Sequence, residues 1–131
     1  MILDTTFIID LLRGGDSKVK EKTDELDIKF VVKAISSVTI MELWRGAMQS
    51  IHQEKEKKKI EELLQSLIIY PFGEMEAKKS GEIEADLIRK GKIIDLEDVM
   101  IAGTALIRNE KILTRSTKHF ESIHGLNVED Y

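Results

Sequence analysis

Hydrophobic positions along the chain fall either into short apolar runs or into longer stretches where apolar residues recur every three or four positions. Short runs rich in β-branched residues are typical of strands, because such side chains pack well on a pleated surface. Pro71 ends one of these runs, as expected of a residue that cannot donate to a strand ladder. The predicted strands are residues 1–4, 30–35, 67–70 and 111–114, with a fifth over 126–128 at an edge of the sheet.

The stretches with a period near 3.6 residues predict helices. The first helix begins at a capping Thr5 or Thr6 and ends before Gly14, a residue type common just after helices. Residues 98–109 are apolar nearly all round, which predicts a buried helix. The other predicted helices cover residues 16–26, 39–49, 52–67 and 75–90.

Short apolar strands separated by helices predict an α/β fold with a mainly parallel sheet flanked by helices. No Gly-, Ser- or Pro-rich linker interrupts the pattern, so residues 1–131 are expected to form a single domain. Ligands of such sheets bind outside the carboxyl ends of the strands. The expected active edge therefore includes Asp4 after the first strand and Thr114, Arg115 and Ser116 after the fourth.

The composition excludes several classes of protein. The absence of Cys excludes a disulfide framework, a Cys-ligated zinc site and a thiol nucleophile. No apolar run approaches the ~18 residues that span a bilayer. The first residues also lack a basic segment leading into an apolar one, so a cytoplasmic protein with no membrane partner is expected. With a net charge of −4, any nucleic acid must be held by local basic groups or by metal ions.

Three acidic residues stand where a short apolar element gives way to a helix: Asp4, Glu42 and Asp98. Each also has a purely structural explanation. Asp4 fits an ordinary strand-to-helix turn, and Glu42 lies three residues after Thr39, which is the capping-box spacing. Asp98 lies three residues after Asp95, and either of them fits a helix cap.

Considered together, the same three carboxylates indicate a metal site. Carboxylates held on a core-facing edge repel each other and lose solvation unless a cation neutralises them. Hard oxygen ligands, without Cys or suitably spaced His, favour Mg²⁺ or Mn²⁺. One or two such ions acting on a phosphodiester would make a metal-assisted hydrolase.

Four segments of the chain resemble the motifs of PIN-domain proteins, and most closely those of the VapC-type toxins of bacterial and archaeal toxin–antitoxin pairs. The segments occur in the family's order and spacing and extend over most of the chain. They are the first strand and helix at residues 3–12, the second acidic motif at 37–46, the third at 94–106 and the C-terminal motif at 112–120.

This resemblance implies a PIN-like three-layer α/β/α sandwich with Mg²⁺- or Mn²⁺-dependent endoribonuclease activity. It assigns both the metal ligands and the catalytic residues to Asp4, Glu42 and Asp98. It also implies an RNA substrate, a homodimer, and a VapB-like antitoxin whose C-terminal segment lies in the active-site groove. The family's fourth acidic position falls at Ser116, where Asn or Asp is usual and Ser adds no charge.

Two other classes of function remain open from the sequence. The uncharged Ser116 allows a PIN-like module that binds RNA or a partner but cuts weakly or not at all. A phosphoacceptor receiver domain has a similar length and acidity, but it requires paired acids after the first strand and a Lys after the last one. Here Asp4 is followed by Thr5 and Thr6, and Lys111 precedes its strand, so the receiver hypothesis is disfavoured.

Two arginines are candidates for contact with an RNA phosphate. Arg115 stands at the expected active edge and is the better candidate. Arg45 follows Glu42 by three residues on a helix, so pairing with a neighbouring carboxylate is the favoured interpretation for it.

The sequence also predicts a homodimer, because some helices carry apolar residues on more than one side. The alternative is that all these residues belong to one core. The residues concerned are Ile35, Ile40, Leu43, Trp44, Ile60, Leu63, Leu64 and Leu67.

Overall fold

Five short strands form one parallel sheet in the computed structural model, which describes all of residues 1–131. The strands are β1 (Ile2–Leu3), β2 (Ala34–Ser36), β3 (Ile68–Tyr70), β4 (Ile112–Leu113) and β5 (Val128–Glu129). Their order across the sheet is β3-β2-β1-β4-β5, and every neighbouring pair is parallel. The predicted fifth strand at an edge is confirmed.

Seven helices connect the strands, and all six predicted ones are present. They are α1 (Thr5–Arg13), α2 (Ser17–Ile28), α3 (Ser37–Met48), α4 (Gln53–Leu64), α5 (Glu74–Arg89), α6 (Leu96–Arg108) and α7 (Thr117–Phe120). The single-turn helix α7 was not predicted. None of the helices combines the length and the apolar character needed to cross a membrane.

Successive strand residues point to opposite faces of the sheet and divide the interior into two clusters. Ile2 belongs to the cluster formed with α5 and α6, whereas Leu3 belongs to the cluster formed with α1 to α4. Ile112 and Leu113 of β4 divide in the same way. The sheet is therefore covered on both faces, and the predicted three-layer α/β/α architecture is confirmed.

The prediction that the second strand begins at residue 30 is wrong. Helix α2 continues to Ile28, and Phe30 then adopts a left-handed conformation with φ of 54° and is 90% exposed. This turn reverses the chain, so pairing with β1 begins only at Ala34. The β-branched Val31 and Val32 lie in the loop before β2.

The residues that suggested surplus apolar surface all contact the core, but only three of the eight are buried. Ile35 of β2, Leu43 and Ile60 are buried in the cluster beneath α1 to α4. The sequence argument for a homodimer therefore rests on partly buried residues, and the homodimer stays a prediction. The remaining five pack against the same cluster: Ile40, Trp44, Leu63, Leu64 and Leu67.

Candidate active site

Asp4 lies between β1 and α1, at the carboxyl end of the sheet's central strand. Its Oδ2 accepts hydrogen bonds from the hydroxyls of Thr6 at 2.8 Å and Thr114 at 2.7 Å. Its side chain does not cap the backbone of α1, although it occupies the cap position. Only 2% of Asp4 is exposed, and its Oδ1 is buried without a hydrogen-bond partner. A buried carboxylate oxygen without a hydrogen bond lowers the stability of the fold, and its presence calls for an explanation.

Glu42 lies in the second turn of α3 and does not cap this helix. The cap is Ser36, whose hydroxyl accepts from the backbone N–H of Val38 at 3.1 Å. The capping-box explanation based on Thr39 is therefore wrong. The Oε1 of Glu42 instead accepts from the Thr5 hydroxyl of α1 at 2.7 Å.

Asp98 lies in the first turn of α6, close to the start of the helix rather than at its cap. The cap position is Asp95, and its side chain makes no capping hydrogen bond. The Oδ2 of Asp98 lies 2.9 Å from Nδ1 of His119, which belongs to α7. The side chain of Asp98 is 17% exposed, so much of its charge is held away from water.

The three carboxylates share one electrostatic environment. Burial raises the pKa of Glu42 above its usual value, and the negative charges of Asp98, Glu97 and Asp4 raise it further, against a lowering by the Thr5 hydrogen bond. Burial also raises the pKa of Asp98; the His119 hydrogen bond opposes this shift, and the charge of Asp4 adds to it. Elements far apart in sequence thus bring carboxylates close enough for the negative charge of one to disfavour ionisation of another.

The side chains at this edge fit a divalent cation by the chemistry of their donors. They are hard carboxylate and hydroxyl oxygens, with no thiolate, and the unpaired Oδ1 of Asp4 is an available ligand atom. As placed here, no three acidic or imidazole side chains already stand close enough together to ligate one ion. The hydrogen bonds of Thr5, Thr114 and His119 occupy one oxygen of each carboxylate.

The three residues after β4 have different surroundings. Thr114 is fully buried, donates to Asp4 and accepts from the backbone N–H of Ser116 at 2.9 Å. Arg115 is half-exposed, and its Nη1 lies 2.8 Å from Oδ2 of the buried Asp10 on α1. Ser116 is the residue before α7, and its hydroxyl makes no hydrogen bond to the acidic side chains. Of these three residues, only Thr114 hydrogen-bonds to a predicted metal ligand, Asp4.

Arg45 pairs with carboxylates, as favoured from its spacing. Its Nη1 lies 3.4 Å from Oε1 of Glu97, and its Nη2 lies 4.0 Å from Oε2 of Glu42. Glu97 was not singled out in the sequence, because nothing in its spacing distinguishes it from a solvated helix residue. His119 was missed as a partner of Asp98 because the single turn of α7 shows no helical periodicity.

A groove of about 400 Å³ runs along the helices beside Glu42. Five of its ten lining residues are apolar, and these five belong to α1, α3 and α4. Charged side chains of Arg13, Glu56 and Lys59 stand among its lining residues. The apolar lining residues are Ile9, Leu12, Leu43, Ala47 and Ile60. The groove is therefore a candidate docking surface that includes one predicted ligand, Glu42.

Comparison with known proteins agrees with this geometry. The structure of VapBC2 from Rickettsia felis, bound to a DNA fragment from its promoter, superimposes with a TM-score of 0.91 at 28% identity, covering 99% of this chain and 97% of the other. Relatives named tRNA(fMet)-specific endonuclease VapC are 34% identical in Shigella flexneri and 31% identical in Salmonella typhimurium. Both alignments cover 99% of this chain and 96% of the relative. The family model for the PIN domain matches residues 1–125. The chain therefore belongs to the PIN-domain family, among its VapC-type members.

Proposed function

We propose that this protein is a divalent-metal-dependent endoribonuclease, the toxin of a type II toxin–antitoxin pair. The observation that carries the proposal is the buried, unpaired Oδ1 of Asp4 beside two carboxylates whose pKa values are raised by burial and by mutual charge. A cation would relieve both penalties at once. The relatives named as endonucleases support RNA as the substrate class.

Asp4, Glu42 and Asp98 would hold Mg²⁺ or Mn²⁺ in this proposal and would serve as the catalytic carboxylates. When bound, the ion supplies Lewis-acid activation of a phosphodiester and of the water that cleaves it. Thr5 and Thr114 orient Glu42 and Asp4 by donating to one oxygen of each carboxylate. Arg115 would contact an RNA phosphate only after exchanging its ion pair with Asp10, which makes it a secondary contact.

Cleavage of RNA with and without metal tests the proposal. The chelator-treated protein should cleave initiator tRNA or a generic RNA only after Mg²⁺ or Mn²⁺ is added. Asp4→Asn should remove this activity, whereas Asp24→Asn, an equal loss of charge at an exposed position of α2, should retain it. Binding of RNA without cleavage under all metal conditions would instead select the non-cutting PIN-like module, which the uncharged Ser116 allows.

We also propose that a VapB-like antitoxin segment occupies the groove beside Glu42. Similar solved structures are VapBC complexes, and the apolar residues that line the groove would bury an apolar segment beside Glu42. Gly46 lines this groove with open space above it, so Gly46→Trp should fill the groove and weaken antitoxin binding. Gly81→Trp, at a helical glycine of α5 with equally open surroundings, is the matched control. Equal binding by both variants would place the antitoxin elsewhere.

A further inference from the structure

His119 is the only residue whose side chain hydrogen-bonds to the carboxylate of Asp98. Its Nδ1 lies 2.9 Å from Oδ2, while Oδ1 of Asp98 has no hydrogen bond within the protein. An ionised carboxylate only accepts hydrogen bonds, so Nδ1 carries the hydrogen and donates. This contact joins two elements, α6 and α7, at the edge of the acidic site.

The backbone around His119 is fixed by packing. The next residue, Phe120, is 1% exposed and belongs to the core cluster formed by α5 and α6. The backbone N–H of His119 donates to the carbonyl of Ser116 at 2.9 Å, which closes the turn of α7. The imidazole is therefore presented to Asp98 from a rigid support, although 54% of its side chain is exposed.

We infer that His119 is a positioning residue that holds Asp98 by its Oδ2 and leaves Oδ1 available to ligate a divalent cation. The inference rests on the proposed metal-dependent function. A donor that fixes one oxygen of a ligating carboxylate reduces the rotamer freedom lost on metal binding, and such outer partners are typically worth about 10- to 100-fold in metal affinity or activity. The exposed Nε2, which makes no hydrogen bond, is not needed for this role.

Substitution of His119 by Asn or by Gln distinguishes the roles of its two ring nitrogens, Nδ1 and Nε2. The Asn amide nitrogen is as many bonds from Cα as His Nδ1, and the Gln amide nitrogen is as many bonds from Cα as His Nε2. If His119 positions Asp98 through Nδ1, His119→Asn keeps the donor and His119→Gln misplaces it. If His119 instead binds the metal directly through Nε2, neither neutral amide nitrogen replaces it as a ligand, and nitrogen coupling to the ion would be present in the wild type.

The test is the affinity of the full chain for Mn²⁺, measured without RNA from the electron paramagnetic resonance signal of free Mn²⁺. His119→Ala should weaken binding by about 10-fold or more, His119→Asn should restore most of it, and His119→Gln should not. His124→Ala, the same change at another exposed histidine, should bind as the wild type does. Bound Mn²⁺ in the wild type should show no coupling to an imidazole nitrogen.

Three results would overturn the inference. Equal Mn²⁺ affinity in the wild type and His119→Ala would do so while leaving the proposed nuclease function intact. Nitrogen coupling in the wild type together with failure of His119→Asn to restore affinity would make His119 a ligand instead. Absence of Mn²⁺ binding by the wild type would overturn the proposed metal site and the inference with it.

Discussion

Three carboxylates at the active edge lose solvation on folding, and neighbouring groups of the protein compensate for this loss only in part. Asp4 is buried with one oxygen unpaired, and Glu42 and Asp98 lose solvation near other negative charges. Such local conflicts are expected at functional sites. They should affect the stability of the protein as well as its activity.

The metal-free protein should gain stability when Glu42 is neutralised. Because the pKa of Glu42 is raised in the folded state, the folded protein binds more protons than the unfolded chain between the usual and the raised pKa. The free energy of unfolding therefore falls as the pH rises through that interval and stays lower above it. Glu42→Gln keeps the acceptor for Thr5 and removes the charge, so its melting temperature in chelator at neutral pH should exceed that of the wild type.

Addition of Mn²⁺ should make the wild type more stable than Glu42→Gln. The wild type should gain ~2.7 kcal/mol when Mn²⁺ is present at about 100 times its dissociation constant, whereas Glu42→Gln should gain far less because it has lost a ligand charge. Thermal melts in chelator and in Mn²⁺ measure both effects. A Glu42→Gln protein that is less stable than the wild type in chelator at neutral pH would show that the carboxylate is stabilised by its surroundings.

Ser116 provides a contrasting prediction at a residue without charge. Its hydroxyl makes no hydrogen bond in the protein, so Ser116→Ala should change cleavage little, by at most the ~1 kcal/mol of one hydrogen bond. Ser116→Asp should lower the Mn²⁺ concentration needed for half-maximal cleavage, because an added carboxylate offsets the charge of a second ion. An unchanged metal requirement in Ser116→Asp would show that this residue does not stand at a fourth ligand position.

At the scale of helices, α6 packs closely against α5 at Gly103. A Cβ on Gly103 of α6 would lie 2.1 Å from Oγ of Ser80 and 3.1 Å from the carbonyl oxygen of Glu76, both on α5. The Ser80 hydroxyl is also committed to that carbonyl, to which it donates at 2.7 Å. Since Asp98 lies on the same helix as Gly103, the packing of these helices also places a predicted ligand.

Gly103→Ala should therefore destabilise the fold by about 1–3 kcal/mol, as overpacking of a filled interior does. Gly81→Ala is the matched control, because this glycine of α5 has nothing within 4 Å of its would-be Cβ. It should be neutral or more stable by up to ~1 kcal/mol through better helix propensity. Urea unfolding gives the free energy of unfolding of each variant. Equal values for Gly103→Ala and Gly81→Ala would mean that α5 and α6 move apart at little cost to accommodate the added Cβ.

How much of these elements could be predicted from the sequence depends on the range of the interactions that form them. Six helices were predicted because their apolar periodicity is local, and the position of Asp4 followed from parallel strands ending at one edge. The start of β2 was misplaced because Phe30 takes a left-handed turn that its residue type disfavours. Helix α7 has a single turn held by the buried Phe120, so the contact of His119 with Asp98 arises only from tertiary packing.

At the scale of the whole molecule, we predict a homodimer that buries some of the large apolar side chains exposed on the single chain. Ile93, before α6, is 99% exposed, Leu96 at the start of α6 is 53% exposed, and Met41 of α3 is 49% exposed. Burial of such side chains between copies is the usual way to remove them from water. Light scattering at micromolar concentration should give twice the mass of one chain, and Leu96→Glu should give a single chain. A monomeric wild type would contradict the dimer.

In the proposed function, three carboxylates from separate elements hold the ion that makes this chain cut RNA. The most direct measurement is the rate of RNA cleavage as a function of Mn²⁺ concentration for the wild type and Asp98→Asn, which keeps the size of the side chain and removes its charge. The wild type should show saturable, chelator-sensitive cleavage. Asp98→Asn should lose more activity than the ~10- to 100-fold typical of a residue that only hydrogen-bonds to a metal ligand. An Asp98→Asn protein as active as the wild type at every Mn²⁺ concentration would contradict the proposed function.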